Sequence, residues 1–294
     1  MTRAASTAIY ESVRTLELVA RHNVAGALQG DYVTAFKGSG LLFEEPRRYV
    51  AGDPVRTIDW NITARTGEPY VRVHREERQR EVALLLDVSP SMHLGYQRRT
   101  KIETAIELAA TVATSSVGGG DRLSLITFAD RVLDRVPARG GRGQLWRVLS
   151  SLVSAAQPWE RAVALSDPRE AIHELEGRRS GPLVVFLVTD CVDRDVPEDL
   201  RYLRPRHDVS LLQVHEPFES APTRHLRLPL VSPEGPVSSR TSHPGSEGRY
   251  APDSSALALE CARLGIAFTS VTTGASVPRA LADHFHRKQH SRSR

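Results

Sequence analysis

Two unbroken apolar runs, each ending at an aspartate, constrain this chain more than any other feature. Val82-Ala83-Leu84-Leu85-Leu86 leads into Asp87, and Leu183-Val184-Val185-Phe186-Leu187-Val188 leads through Thr189 into Asp190. A strand with one wet face alternates apolar and polar residues. A strand that is apolar throughout is covered on both faces, as in a parallel sheet flanked by helices. Segments of helical period lie between the runs. Thr100 and Glu103 form a capping box ahead of Ile102, Ile106, Ala109, Ala113 and Val117, which share one face, and Gly118-Gly119-Gly120 closes that helix. Further strands are expected at 123–128, 209–214 and 267–271. Further helices are expected at 145–153, at 253–264, and from Asp167 to Gly177 with Pro168 at its first position and Glu170 completing a cap. The alternation predicts an α/β protein with a doubly wound, mainly parallel sheet.

Residues 1–80 follow a different rhythm. Glu11 to Leu28 reads as one amphipathic helix, followed by a glycine-punctuated stretch to Gly67 and the strand-like Tyr70-Val71-Arg72-Val73. The expected organisation is therefore an N-terminal region over 1–80, an α/β domain over 81–284, and a basic tail over 285–294. Within the domain, 216–250 is rich in Pro, Ser, Gly and Arg and reads as an insertion, either a loop or a hairpin pairing 226–231 with 237–241. Lys and Arg exceed Asp and Glu by 4. Arg287, Lys288, Arg292 and Arg294 account for that whole excess, so the rest of the chain is balanced. A nucleic-acid binder carries its basic patch on the folded body, so nucleic acid is not an expected partner. No apolar run approaches the ~20 residues of a membrane span, and Met1 to Tyr10 lacks the apolar centre of a signal peptide. Cys191 and Cys261 are too few for a disulfide framework, which points to the cytoplasm and reduced thiols.

The chemistry-bearing residues follow the first apolar run. Asp87, Ser89 and Ser91 occupy alternate positions and present three hard oxygen donors on one side of a loop. In α/β sheets ligands bind outside the carboxyl ends of strands. Asp190 ends the second run, and Ser166 precedes a helix where it adds another hydroxyl. Oxygen donors of this kind suit Mg²⁺ or Mn²⁺. For any one of these residues the simpler reading is an aspartate or serine that stabilises its own turn.

Together, Asp87, Ser89, Ser91, Ser166 and Asp190 resemble the metal-ion-dependent adhesion site of a von Willebrand factor A domain. Upstream, Gly38-Ser39-Gly40, Phe43, Arg47-Arg48-Tyr49, Gly52-Asp53, Arg56, Ile58-Asp59-Trp60 and Ala64-Arg65 resemble the bacterial family called domain of unknown function 58. The resemblance runs from about Glu17 to the helix near His284. It implies a von Willebrand factor A-like fold and partnership with a MoxR-type AAA+ ATPase in a chaperone-like system acting on a client protein. Two positions depart from the pattern: Ser166 stands where threonine is usual, and Cys191 where glycine is frequent.

The expected function is a metal-bridged protein contact rather than catalysis, with a partner carboxylate completing the coordination of Mg²⁺ and no small-molecule substrate. The alternative is a phosphatase-like hydrolase that uses Mg²⁺ or Mn²⁺ on the same carboxylates, for which the sequence offers no clear nucleophile or base. Ser89 or Ser91 would need His93 as base, and nothing orients that ring. Asp53, Arg56 and Asp59 with Trp60 read either as a buried salt-bridge network or as a partner-docking surface, and Arg47, Arg48 and Arg65 either as solvated arginines or as a contact for an acidic ATPase face. Arg139 to Gly143 reads as a turn, since it lacks the Lys-Ser/Thr ending of a phosphate-binding loop. His284, His286 and His290 read as part of a solvated terminus.

Overall fold

The two apolar runs become neighbouring strands at the centre of one sheet. The computed structural model describes residues 3–25, 27–37, 47–53, 55, 58–71, 79–95, 99–157, 166–177, 181–191, 196–216 and 254–292. Helices α1 (Arg3–Val24) and α2 (Ala27–Lys37) come first, followed by β1 (Arg47–Arg48), α3 (Trp60–Thr66) and β2 (Tyr70–Val71). The α/β body then runs β3 (Glu81–Asp87), α4 (Lys101–Gly118), β4 (Arg122–Phe128), β5 (Val132–Arg139), α5 (Arg142–Ala155), α6 (Arg169–Glu176) and β6 (Leu183–Thr189). It ends with α7 (Val196–Leu200), β7 (Asp208–His215), α8 (Ser254–Leu264), β8 (Ala267–Thr272) and α9 (Val277–Arg292).

The sheet has six strands in the order β5-β4-β3-β6-β7-β8. All neighbours are parallel except β5, which returns antiparallel to β4. This is the doubly wound α/β arrangement that the apolar runs require. Alternate residues of β3 and β6 feed two separate cores. Val82, Leu84, Leu86, Val184, Phe186 and Val188 pack under α2, α4, α5 and α9, whereas Ala83, Leu85, Val185 and Leu187 pack under α6 and α8. The capping box at Thr100 and Glu103 forms as the spacing requires. Gly141, at φ 85°, turns the chain from β5 into α5, so the Arg139–Gly143 stretch is a turn.

Four features differ from the sequence expectation. The single helix over 11–28 is two helices, and Val13, Ala20, Leu28, Tyr32, Ala35 and Phe36 all belong to the core of the α/β body. Strand β5 was hidden by Asp134, Arg135 and Pro137, residues that only an edge strand accommodates. At α6 the Asp167 carboxylate accepts from the Arg169 amide, while Glu170 accepts from the Val132 amide of β5 instead of completing a cap. The pairing of 226–231 with 237–241 lies outside the described residues.

The fourth difference concerns the expected basic tail. Residues 285–292 continue α9, and Val277, Leu281, Phe285 and Lys288 form one buried stripe at helical spacing. Phe285 packs edge-on against Tyr32 and Phe36 at ring distances of 5.7 and 5.6 Å. Lys288 places Nζ 4.8 Å from the centre of the Phe36 ring, 2.6 Å from Asp208 and 3.0 Å from the Ser210 hydroxyl. His284 is buried between Thr269 and Ser210, and burial together with Lys288 and Arg287 pushes its imidazole well below the ordinary value. The charge count concealed an amphipathic helix whose lysine is an anchor. No helix among the described residues is long and apolar enough to cross a membrane.

If α9 closes the core, Phe285→Ala destabilises the chain by about 3–5 kcal/mol, as expected for an aromatic lost from a packed site. His290→Ala, on the exposed face, changes stability by less than about 0.5 kcal/mol. Urea unfolding of the two variants checks this; equal midpoints would restore the tail reading.

Candidate functional site

Strand order reverses between β3 and β6, because the chain leaves β3 toward β4 and returns on the opposite side to β6. The two loops beyond these strands therefore diverge and leave a crevice. Asp87 closes β3 and Asp190 follows β6, so both carboxylates meet at this switch point, and both are fully buried.

The Asp87 carboxylate is fixed by three donors. Its Oδ1 accepts the Ser89 amide at 2.9 Å, and its Oδ2 accepts the hydroxyls of Ser166 at 2.6 Å and Thr189 at 2.7 Å. Ser166 is held in place because the next residue, Asp167, donates its amide to the Ala129 carbonyl just beyond β4. After Ser89 a short 3₁₀ turn, Pro90–His93, brings Ser91 back, so that the Ser89 and Ser91 hydroxyl oxygens lie 3.1 Å apart. All five residues singled out in the sequence are buried in this crevice. Burial and the neighbouring Asp190 charge push Asp87 up to about 6.

Sequence reasoning missed Lys101. Its side chain is fully buried and its Nζ donates to Asp190 Oδ2 at 2.8 Å. Lys101 is the first residue of α4, where the helix dipole disfavours a cation. The pairing partner lies 89 positions away, so no local signal in the sequence points to it. Thr189 was also missed as a donor; its hydroxyl accepts the Cys191 amide and donates to Asp87. Cys191 sits at φ 59°, a left-handed conformation that glycine adopts without strain. Desolvation raises its thiol well above the ordinary value, with Asp190 and Asp87 adding to the shift. His93 does not act as a partner for the serines in the geometry described: burial lowers its imidazole and its hydrogen bond goes to the Val88 backbone.

The donor set fits a small divalent cation. Oxygen ligands about 2.1 Å from Mg²⁺ in an octahedron lie about 3 Å apart along each edge, which is the spacing of the Ser89 and Ser91 hydroxyls. Ser166 gives its proton to Asp87 and so keeps its lone pairs available. Asp87 already accepts three hydrogen bonds, leaving it roughly one of its four lone-pair sites. Its role in such a site is orientation and charge more than direct ligation. Among the described residues no three His, Cys, Asp or Glu side chains cluster tightly enough to hold a metal by themselves, so a metal here would depend on the hydroxyls.

The expected docking residues are spread over the β1–β2 region and do not form one buried network. Arg47 makes a two-pronged pair with Asp53 at 2.7 Å for each oxygen, on the surface. That pairing raises Arg47 and, with the Val50 amide, lowers Asp53. Arg48 pairs with Glu68 at 2.9 Å. Asp59 is a helix cap, accepting the Asn61 and Ile62 amides at the start of α3. Trp60 is 67% exposed, and Arg65 is exposed on the same short helix. Arg56 lies outside the described residues.

Comparison with known proteins places the chain among uncharacterised bacterial relatives. The model of the family described as "Protein of unknown function DUF58" matches residues 45–234. The uncharacterized protein Rv1480 of Mycobacterium tuberculosis is 32% identical over 225 residues, covering 75% of this chain and 67% of that protein. Uncharacterized protein Mb1516 of Mycobacterium bovis matches to the same extent. Among solved structures, the conserved hypothetical protein BatB from Bacteroides thetaiotaomicron superposes with a TM-score of 0.48 at 18% identity, over 72% of this chain and 99% of that one. A von Willebrand factor type A protein from Catenulispora acidiphila superposes with a TM-score of 0.44 at 12% identity, over 72% of this chain and 42% of that one.

Two outcomes follow from the buried charges. Lys101→Met leaves Asp190 buried without its counter-charge and costs about 3–5 kcal/mol, whereas adding Asp190→Asn restores most of the loss. Asp87 is held at about 6 against an ordinary 3.8, so its contribution favours folding at low pH and fades as pH rises through 6. In EDTA, the parent therefore loses about 2 kcal/mol relative to Asp87→Asn between pH 4 and pH 7. Denaturant melts across pH measure both; parallel pH curves for parent and Asp87→Asn would contradict the second.

Proposed function

The chain belongs to the DUF58 family of proteins of unknown function, and from the crevice between β3 and β6 we propose that it is a non-enzymatic, metal-dependent protein-interaction module. Ser89, Ser91 and Ser166 would supply hydroxyl oxygens to Mg²⁺ or Mn²⁺, with Asp87 and Asp190 supplying charge. The observation that carries this reading is the hydrogen-bonded Ser89–Ser91 hydroxyl pair, 3.1 Å apart and next to a carboxylate that three donors already orient.

Charge decides what such a site attracts. Two carboxylates and the Lys101 ammonium leave one net negative charge in the crevice. A divalent cation turns that into one net positive charge, so the loaded site favours an anionic ligand. Mg²⁺ prefers six oxygen ligands, and a carboxylate from another protein is the ligand that meets both requirements. The metal's contribution is to hold that carboxylate; the chain's own residues orient the donors, exclude water from Asp87 and balance Asp190. The partner implied by the family resemblance is a MoxR-type AAA+ ATPase in the cytoplasm, with the module presenting it to a client protein. Arg47, Arg48, Asp53, Arg65 and the exposed Trp60 indole would add a second contact surface.

Capture of a MoxR-type ATPase by the immobilised full chain should require Mg²⁺ and disappear in EDTA. Asp87→Ala should abolish capture without unfolding the chain, because the Lys101–Asp190 pair is neutral and remains closed without Asp87. Titration calorimetry that finds unchanged binding for Asp87→Ala would sink the proposal.

A further inference from the structure

The two edges of the six-stranded sheet are built differently. Strand β5 carries Asp134, Arg135, Pro137 and Arg139, and its pairing with β4 shifts register twice, at Leu123/Leu125 and Thr127/Phe128. Those are the devices that keep an edge from accepting another strand. Strand β8 has none of them. Its sequence, Ala-Phe-Thr-Ser-Val-Thr, lacks charge and proline, pairs with β7 in unbroken register, and has no second neighbour among the described residues.

Beside β8 runs a groove of about 920 Å³ between α8 and α9. The α8 wall is low, because Ala258 and Ala262 face it. The α9 wall presents Arg279, Asp283 and Arg287, four residues apart each time and therefore on one face of the helix. Helix α9 doubles back along the strand: it begins four residues after β8 ends, and Arg287 reaches Thr269 near the strand's start at 2.7 Å. Arg204 closes the far mouth, fixed by its Nε donating to the Gly265 carbonyl at 2.6 Å. All three arginines are exposed.

We propose that this groove docks an acidic peptide in extended form, which adds to the sheet as a further strand beside β8. The backbone edge supplies hydrogen bonds without regard to sequence, and the arginines supply the preference. Arg279 and Arg287 are eight residues apart, about 12 Å along a helix. That distance matches about four residues of strand at 3.3 Å each. The peptide therefore carries acids at positions i and i+4, which lie on one face, and a neutral or basic residue at i+2 opposite Asp283. A second copy of this chain is the wrong occupant, since pairing β8 with itself sets arginine against arginine. The groove lies at a sheet edge and the metal crevice between β3 and β6 at the sheet's centre, so neither proposal depends on the other.

The probe is a fluorescein-labelled nonapeptide of alternating valine and threonine with two threonines replaced by glutamates four positions apart. Its anisotropy is followed against the full chain in EDTA, which leaves the metal crevice out of the measurement. Binding is expected to weaken about tenfold in Arg279→Ala/Arg287→Ala, since two exposed ion pairs contribute a few-fold each. Arg279→Ala alone should weaken binding a few-fold and leave the melting temperature unchanged, which separates a docking role from a structural one, since Arg287 also donates to Thr269. Binding should also vanish when lysines replace the glutamates, and when a central proline blocks strand pairing. Equal binding by the lysine or proline peptide overturns the proposal. So does sedimentation that shows a dimer the glutamate peptide fails to dissociate, because a second copy then occupies the edge.

Discussion

Two aspartates buried side by side are a large electrostatic liability, and this fold is arranged around containing it. Each ion would cost several kcal/mol if left bare in the interior. Asp87 is accommodated by three hydrogen-bond donors drawn from three separate segments: the Ser89 turn, the Ser166 loop and the end of β6. Asp190 is accommodated in part by the Lys101 ammonium carried on the first turn of α4. The parallel pairing of β3 with β6 brings the two strand ends together, and the reversal of strand order opens the space above them. The remaining architecture serves to hold that junction: α4 delivers Lys101, the α6 approach delivers Ser166, and the two cores keep the strands level.

Lys101 changes how the site is understood. Two acids alone would exactly offset a divalent cation and leave a neutral centre with little pull on a further anion. With the lysine present, a crevice loaded with a divalent cation would have a positive balance, and without one it is still partly neutralised. Under the proposed function, the tethered ammonium would let the chain stay folded without metal and favour a carboxylate with it.

Much of this was legible in the sequence, and for physical reasons. Strands covered on both faces must be apolar throughout, so β3 and β6 announced themselves, and with them the sheet and the positions of Asp87 and Asp190. Ser89, Ser91 and Ser166 followed from alternation in a loop and from family resemblance. Less was legible where one residue serves two ends. Lys288 counts as charge in a composition, yet its ammonium is buried between the Phe36 ring and Asp208. Lys101 reads as a helix-start residue until the aspartate 89 positions away is brought to it. Strand β5 is polar because it is an edge, and polarity is what a search for buried strands discards. The break between α1 and α2 depends on how they wrap the body, which local periodicity does not encode.

The central claim is that the hydroxyls of Ser89 and Ser91 complete a cation site above Asp87. Mn²⁺ titration followed by electron paramagnetic resonance tests it directly, because bound Mn²⁺ loses the sharp spectrum of the free ion. The parent chain should hold a single Mn²⁺ that Mg²⁺ displaces, and Ser89→Ala/Ser91→Ala should weaken that binding at least tenfold while keeping the parent's melting curve. Identical titrations for the parent and the double variant would contradict the claim.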